Sequence, residues 1–232
     1  MMGFPREDGP KIKVWVDALT AFIDRSTDIE IARKAQSAYQ AYLQYMEPIW
    51  SACEPADRGG LLNLLKKIHL ENSSLTTADI LANILGLFLA GHETTTSLLT
   101  NGLSALLQSP VEYAQLRANP ELLAPAVEEM LRFEAPVQRA GRSTTEDVEW
   151  PEGVTMRKGE YVAILIGAAN RDATEFDDPH QFRIKRTKNR HLSFGGGAHH
   201  CLGAQFARFE AQALLKRLLE KFPELRLSGN PG

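Results

Sequence analysis

The chain has 232 residues, 44% of them hydrophobic and 24% charged, with a formal net charge of −3. That composition can fill a core and excludes intrinsic disorder, collagen-like repeats and, with only Cys53 and Cys201 present, a disulfide scaffold. The near-neutral balance offers no excess of Lys and Arg for a nucleic-acid backbone.

At the N-terminus, Met1 to Asp8 contain no apolar core of signal-peptide length. The most apolar stretch, Ile80 to Gly91, falls short of the ~20 residues of a membrane span. The expected location is cytoplasmic, without membrane attachment and with both thiols unpaired. Residues 10–52 read as helical: Val14, Trp15, Ala18, Leu19 and Phe22 recur at helical spacing, followed by Ile31, Ala35, Ala38, Tyr39, Tyr42 and Met46. A linker over 53–60 precedes a short helix from Leu61 to Leu70.

Thr76 and Asp79 then form a Thr-x-x-Asp capping box, with Leu75 and Ile80 as its hydrophobic staple. They open a helix over 76–109 that Pro110 ends. At 1.5 Å per residue it would span roughly 45 Å, enough to cross a domain. Its middle, Ala90-Gly91-His92-Glu93-Thr94-Thr95-Thr96, places poor helix formers where packing should be best, and such local rule-breaking points to function. Further on, a helix runs from about Glu121 to Phe133, stopped by Pro136. A small β-region over 137–165, a polar loop over 170–198 and an amphipathic helix from Leu202 to Phe222, before Pro223, complete the chain. The fold class is mainly α with a minor β-sheet.

The chemistry concentrates in Phe194-Gly195-Gly196-Gly197-Ala198-His199-His200-Cys201-Leu202-Gly203. Three successive glycines permit a close backbone approach that side chains forbid. A cysteine at a helix start feels the positive end of the dipole, which favours thiolate. Such a thiolate can ligate a metal or a flat macrocycle lying against the loop.

Phe194-x-x-Gly197-x-x-x-Cys201-x-Gly203 resembles the haem-binding signature of the cytochrome P450 family, the haem-thiolate monooxygenases. Ala90-Gly91-His92-Glu93-Thr94-Thr95 resembles that family's oxygen-activation motif, and Glu129-Met130-Leu131-Arg132 its Glu-x-x-Arg motif, in the family's order. Ala169-Asn170-Arg171-Asp172 lies between the second motif and the loop. The resemblance covers essentially the whole chain and is strongest to the soluble bacterial type.

It implies the C-terminal, mainly helical portion of the P450 fold: residues 1–232 as one partial domain, 76–109 as the oxygen-activation helix, and 191–203 as the haem loop. The cofactor implied is haem b, with Cys201 as axial thiolate. Phe194, Gly197 and Gly203 would shape the loop, and His199 and Arg142 would bind haem propionates. Glu93 and Thr94 would relay protons to iron-bound O2, with Gly91 opening a groove in the helix. In a generic helix the same Thr94 would instead bond back to a helix carbonyl, and Glu93 would be a surface charge. Glu129 and Arg132 would form a buried structural pair. Its third member usually comes from a Pro-x-x-Phe segment, here Asp178-Pro179-His180-Gln181-Phe182, where Gln181 takes the place of a common arginine. Leu89, Ala90, Pro136 and Val137 would line a pocket for a small organic substrate.

Arg183, Lys185, Arg186, Lys188 and Arg190 crowd the segment before the loop. A charge run is usually a solvated face, but here it would dock an acidic ferredoxin-type electron donor near Lys185, Arg186 and Lys188. A zinc hydrolase does not fit, since His92-Glu93 lacks the second His of His-Glu-x-x-His at Thr96. The rival reading is a truncated, non-catalytic remnant with weak or no haem binding, because the resemblance leaves the family's N-terminal part and final β-hairpin unmatched.

Overall fold

The computed structural model describes residues 4–25, 27–56, 60–72, 74–222 and 224–229. Residues 57–59 of the expected linker, and Pro223, the expected stop of the last helix, lie outside the described residues. Contacts divide the chain into two compact units, 1–92 and 93–232.

In the first unit, the helical stretch expected over 10–52 is two helices, α1 (Gly9–Asp24) and α2 (Ile29–Ala52). The break has a local cause. Asp28 Oδ1 accepts the N–H groups of Glu30 at 3.0 Å and Ile31 at 3.2 Å, so its side chain starts a new helix instead of continuing the old one. α3 follows at Leu61–Glu71. The core joins Trp15 of α1, Ala38, Tyr42, Met46 and Trp50 of α2, Leu62 of α3, and Ile80, Leu81, Ile84 and Leu85 of the next helix. The Tyr42 hydroxyl donates to Leu81 O at 2.7 Å inside this core, and burial pushes its pKa up.

α4 (Thr77–Leu107) is the long helix, and it runs without a break through Gly91 to Thr96. Its start is the expected capping box: Asp79 Oδ2 accepts from Thr76 N at 2.9 Å, and Thr76 Oγ1 accepts from Asp79 N at 3.1 Å. It ends at Leu107, before the proline. Pro110 also opens α5 (Pro110–Ala118), because a helix's first turn has no use for the missing N–H. Sequence periodicity passed over that short helix.

In the second unit, a 3₁₀ turn (Pro120–Leu122) leads into α6 (Leu123–Phe133). The β-region is two separate two-stranded antiparallel sheets. β1 (Ala140–Ser143) pairs with β4 (Tyr161–Ile164) in the register Arg142↔Val162, and β2 (Val148–Trp150) pairs with β3 (Val154–Met156). The short α7 (Ile166–Ala169) follows, and α8 (Ala204–Lys221) closes the unit. The core gathers Leu98, Ala105 and Leu106 of α4 with Leu116, with Ala126, Val127, Met130 and Leu131 of α6, with Phe182 and Ile184, and with Ala211 and Leu215 of α8. A Cβ on Gly102 would stand 2.7 Å from the Met130 side chain, so glycine there lets α4 and α6 approach. Among the described residues, no helix is long and apolar enough to cross a membrane.

Candidate functional site

Residues 170–196 form no helix or strand, yet a buried polar frame holds them. Glu129 and Arg132, one helical turn apart on α6, are both fully buried. Arg132 presents its fork to the carboxylate, with Nε–Oε2 and Nη2–Oε1 both at 2.8 Å. The remaining guanidinium protons go to main-chain carbonyls: Asn170 and Pro179 at 2.9 Å, and Gln181 at 3.1 Å. Glu129 in turn accepts from Arg183 N at 2.8 Å, Asn189 Nδ2 at 3.1 Å and Arg186 Nε at 3.2 Å. A charged pair inside a core persists only when its other lone pairs and protons are satisfied in this way.

The third member of the network is therefore Arg186. Gln181, in the place of the common arginine, contributes its carbonyl, which accepts from both Arg132 and Arg186. The same finding corrects the expected docking patch. The Arg186 side chain is 6% exposed and committed to Glu129 and the carbonyls of Asp177, Asp178 and Gln181, so it cannot greet a partner. Arg183 pairs with Asp178 at 3.0 Å and Lys188 with Glu175 at 3.3 Å on the surface. Lys185 and Arg190 are exposed.

Asn170, also fully buried, continues the frame toward the cysteine. Its Oδ1 accepts from Leu192 N at 2.7 Å and its Nδ2 donates to Ser193 Oγ at 2.9 Å, while Ser193 Oγ donates to Leu131 O at 2.6 Å. Arg171 binds Phe133 O at 2.6 Å and the Glu134 carboxylate. The chain thus enters the glycine loop from an anchored point. Gly195 and Gly197 then adopt left-handed φ of 66° and 61°, which reverse the chain. Cys201 N–H donates to Phe194 O at 2.8 Å and closes the turn. Cys201 is an exposed free thiol, at the entry to α8.

Other expected residues are placed as follows. His199 is exposed in the 3₁₀ turn Gly197–His199, and Gly203 is the N-cap of α8. Arg142 is exposed on β1, its Nη1 donating to Gly141 O at 2.7 Å. Glu93 and Thr94 are half-buried neighbours on α4. Leu89 packs on the core of the first unit and Ala90 is exposed. Pro136 is half-buried after α6, and Val137 beside it is 39% exposed.

A second ion cluster escaped the sequence reading. Glu128 accepts from Arg208 Nε at 2.7 Å and Nη2 at 2.9 Å, and meets His191 Nε2 at 3.0 Å. Burial works against the Glu128 charge, but hydrogen bonds from His191 and Arg208 outweigh it and hold the carboxyl down at about 2. The hydrogen bond to Glu128, reinforced by its charge, holds the Arg208 pKa above its ordinary value against the opposing effect of burial. No local signal announces this cluster, because its members are 63 and 80 residues apart.

Donor chemistry narrows what the site can hold. Among the described residues no group of three His, Cys, Asp or Glu side chains is arranged to hold a metal ion. One exposed thiol on a glycine turn suits a metal that brings its own equatorial ligands, as a haem does.

The family profile described as Cytochrome P450 matches residues 13–120 and 113–228. The chain belongs to the cytochrome P450 family. It is 40% identical over 233 residues to the "Biotin biosynthesis cytochrome P450" of Bacillus subtilis, covering 98% of this chain and 57% of that protein. It is 38% identical to the "Cytochrome P450 monooxygenase PikC" of Streptomyces venezuelae, covering 100% of this chain and 54% of that one. The crystal structure of P450BioI with an acyl carrier protein ligated to hexadec-9Z-enoic acid superposes with a TM-score of 0.92 at 37% identity, over 99% of this chain and 59% of that one. CYP109E1 from Bacillus megaterium, in complex with testosterone, gives 0.90 at 33% identity, over 100% and 60%. The chain therefore spans little more than half the length of these P450 relatives.

Proposed function

We propose that this chain is the haem-thiolate portion of a bacterial monooxygenase that inserts one atom of O2 into a small, largely apolar organic substrate. The observation that carries the reading is the exposed Cys201, presented from a turn with two left-handed glycines and anchored through the Phe194 carbonyl.

Cys201 would hold haem b through its thiolate, with Phe194, Gly197 and Gly203 forming the turn that presents it. When bound, the haem supplies the iron at which O2 is activated, and a thiolate ligand favours O–O cleavage. The other steps belong to this chain. His199 and Arg142, both exposed cations or donors, would pair with the two propionate carboxylates and orient the ring. The Thr94 hydroxyl would hold and donate a proton at its Oγ1 on the substrate side of the site. The neighbouring Glu93 carboxylate would take protons from solvent and pass them on. Val137 and Pro136 would offer apolar surface to the substrate, and Leu89 and Ala90 remain proposed lining residues on α4. The relatives' ligands, a carrier-bound fatty acyl chain and testosterone, support an apolar substrate class.

Electrons would arrive from an acidic ferredoxin-type donor, now assigned to Lys185, Lys188 and Arg190 without Arg186. Neutralising Lys185 and Arg190 should slow reduction at low salt and flatten its salt dependence. An unchanged rate and slope would remove the docking assignment.

A specific observation supports the second reading, a chain that holds haem weakly or not at all. Leu202, next to Cys201 in the chain, and Phe209 of α8 are 89% and 69% exposed, so apolar surface at the cysteine turn and on the helix after it lacks cover. Spectroscopy separates the readings. The chain loaded with haem, reduced and exposed to CO should show the red-shifted Soret band of thiolate-ligated iron, and Cys201→Ser should abolish it. Absence of haem uptake by the unsubstituted chain would decide for the second reading.

A further inference from the structure

Beyond the residues the sequence singles out, one guanidinium ties both ends of the cysteine turn to the body of its unit. Arg208 lies on α8, seven residues after Cys201. Its fork is held by Glu128 of α6 at 2.7 and 2.9 Å. Its Cζ stands 4.4 Å from the centroid of the Phe194 ring, within cation–π range. Phe194 is the residue whose carbonyl receives the Cys201 N–H. On the other side of Phe194, His191 bonds the same Glu128 carboxylate, and its Nδ1 accepts from Ser193 N at 3.3 Å. The entry to the turn, through His191, Ser193 and Phe194, and its exit, through α8, thus converge on the Glu128–Arg208 pair.

We propose that Arg208, held by Glu128, is a positioning residue for the Cys201 ligand: it clamps the Phe194 ring and so fixes the turn that aims the sulfur. The consequence at the metal rests on the haem-thiolate reading above, while the order of the turn is a property of the haem-free chain. The fork matters as well as the charge. A planar guanidinium can bind a carboxylate through two bonds and lie on a ring at once, which an ammonium cannot. Arg208 touches neither substrate nor reacting atoms, and its effect passes through Phe194.

The test uses the full chain with Arg208→Gln, Arg208→Lys and Glu128→Gln. In the haem-free protein, Arg208→Gln should speed backbone amide exchange at Cys201 and Gly195 about tenfold or more, while the amides of α4 and α5 keep their protection. Glu128→Gln, which leaves the guanidinium but loosens its tether, should raise exchange at the same two amides by a smaller factor. In the haem-loaded protein, Arg208→Gln should convert part of the red-shifted CO band into an unshifted one, and Arg208→Lys should restore it only in part. Unchanged exchange at Cys201 in Arg208→Gln would overturn the proposal. So would a loss of protection spread evenly over residues 93–232, which would make Arg208 a general fold residue. Failure of the unsubstituted chain to bind haem would sink the haem-thiolate reading and leave the exchange result to decide this one.

Discussion

Glu129 collects five side-chain and main-chain donors without contact to solvent, so its energetics are those of a buried charge and not of a surface pair. Removing one partner strands the other in a low-dielectric interior, at a cost of about 3–5 kcal/mol. Arg132→Met should therefore lower the urea midpoint by that equivalent or prevent folding. Arg186→Ala should also destabilise, by about 2 kcal/mol, whereas Gln181→Ala, which keeps the carbonyl that is used, should fall within about 0.5 kcal/mol of the parent. The two variants compared in one denaturation series distinguish Arg186 from Gln181 as the third network member. Glu128 adds a pH dependence. Its folded pKa of about 2 lies below the ordinary 4.5, so its contribution is complete above 4.5 and is lost as pH falls toward 2. Allowing for its partial exposure, about 2 kcal/mol is at stake. Stability measured at pH 7 and pH 3 should converge by roughly half of that amount in Glu128→Gln relative to the parent, since pH 3 still lies above the folded pKa.

At the scale of elements, α4 carries the contrast between local preference and tertiary demand. The Thr76–Asp79 box is a local device, legible from four residues, and Thr76→Ala should cost about 1 kcal/mol in thermal or urea unfolding. Gly91 and Gly102 look alike in the sequence, yet their surroundings differ. A Cβ at Gly91 meets nothing within 4 Å, while one at Gly102 runs into Met130. Gly91→Ala should thus stabilise the helix by about 0.5–1 kcal/mol, and Gly102→Val should destabilise by about 1–3 kcal/mol through overpacking. If the groove proposed at Gly91 matters for oxygen, its alanine variant should gain stability and lose coupling of electron use to product. The glycine and threonines stay helical because each end of α4 is anchored in a core, which overrides weak propensity in the middle.

For the whole molecule, the presence of two separate cores has a measurable consequence. Trp15 and Trp50 are buried in the first, while Trp150, in the second unit, is 60% exposed. Fluorescence therefore reports chiefly on residues 1–92, and far-UV circular dichroism on all helices. Denaturation curves from the two probes should not coincide, since each core can open separately. Coincident curves would show that the continuous α4 couples both cores into one transition.

The residue order alone carries the signature of the family and the candidate site residues, because those signals are short-range. A cysteine after a glycine run, an acid–alcohol pair in a helix, Glu-x-x-Arg at one-turn spacing and a capping box each lie within about ten positions. Tertiary structure alone decided which groups complete them. Arg186 reaches Glu129 across 57 positions and Arg208 reaches Glu128 across 80, and a basic run that reads as one solvated face is split between a buried network and the surface. Residue identity alone does not name such partners. They are selected by which carboxylate the packed helices bury, and a buried charge must be met by whatever donor the returning chain brings near.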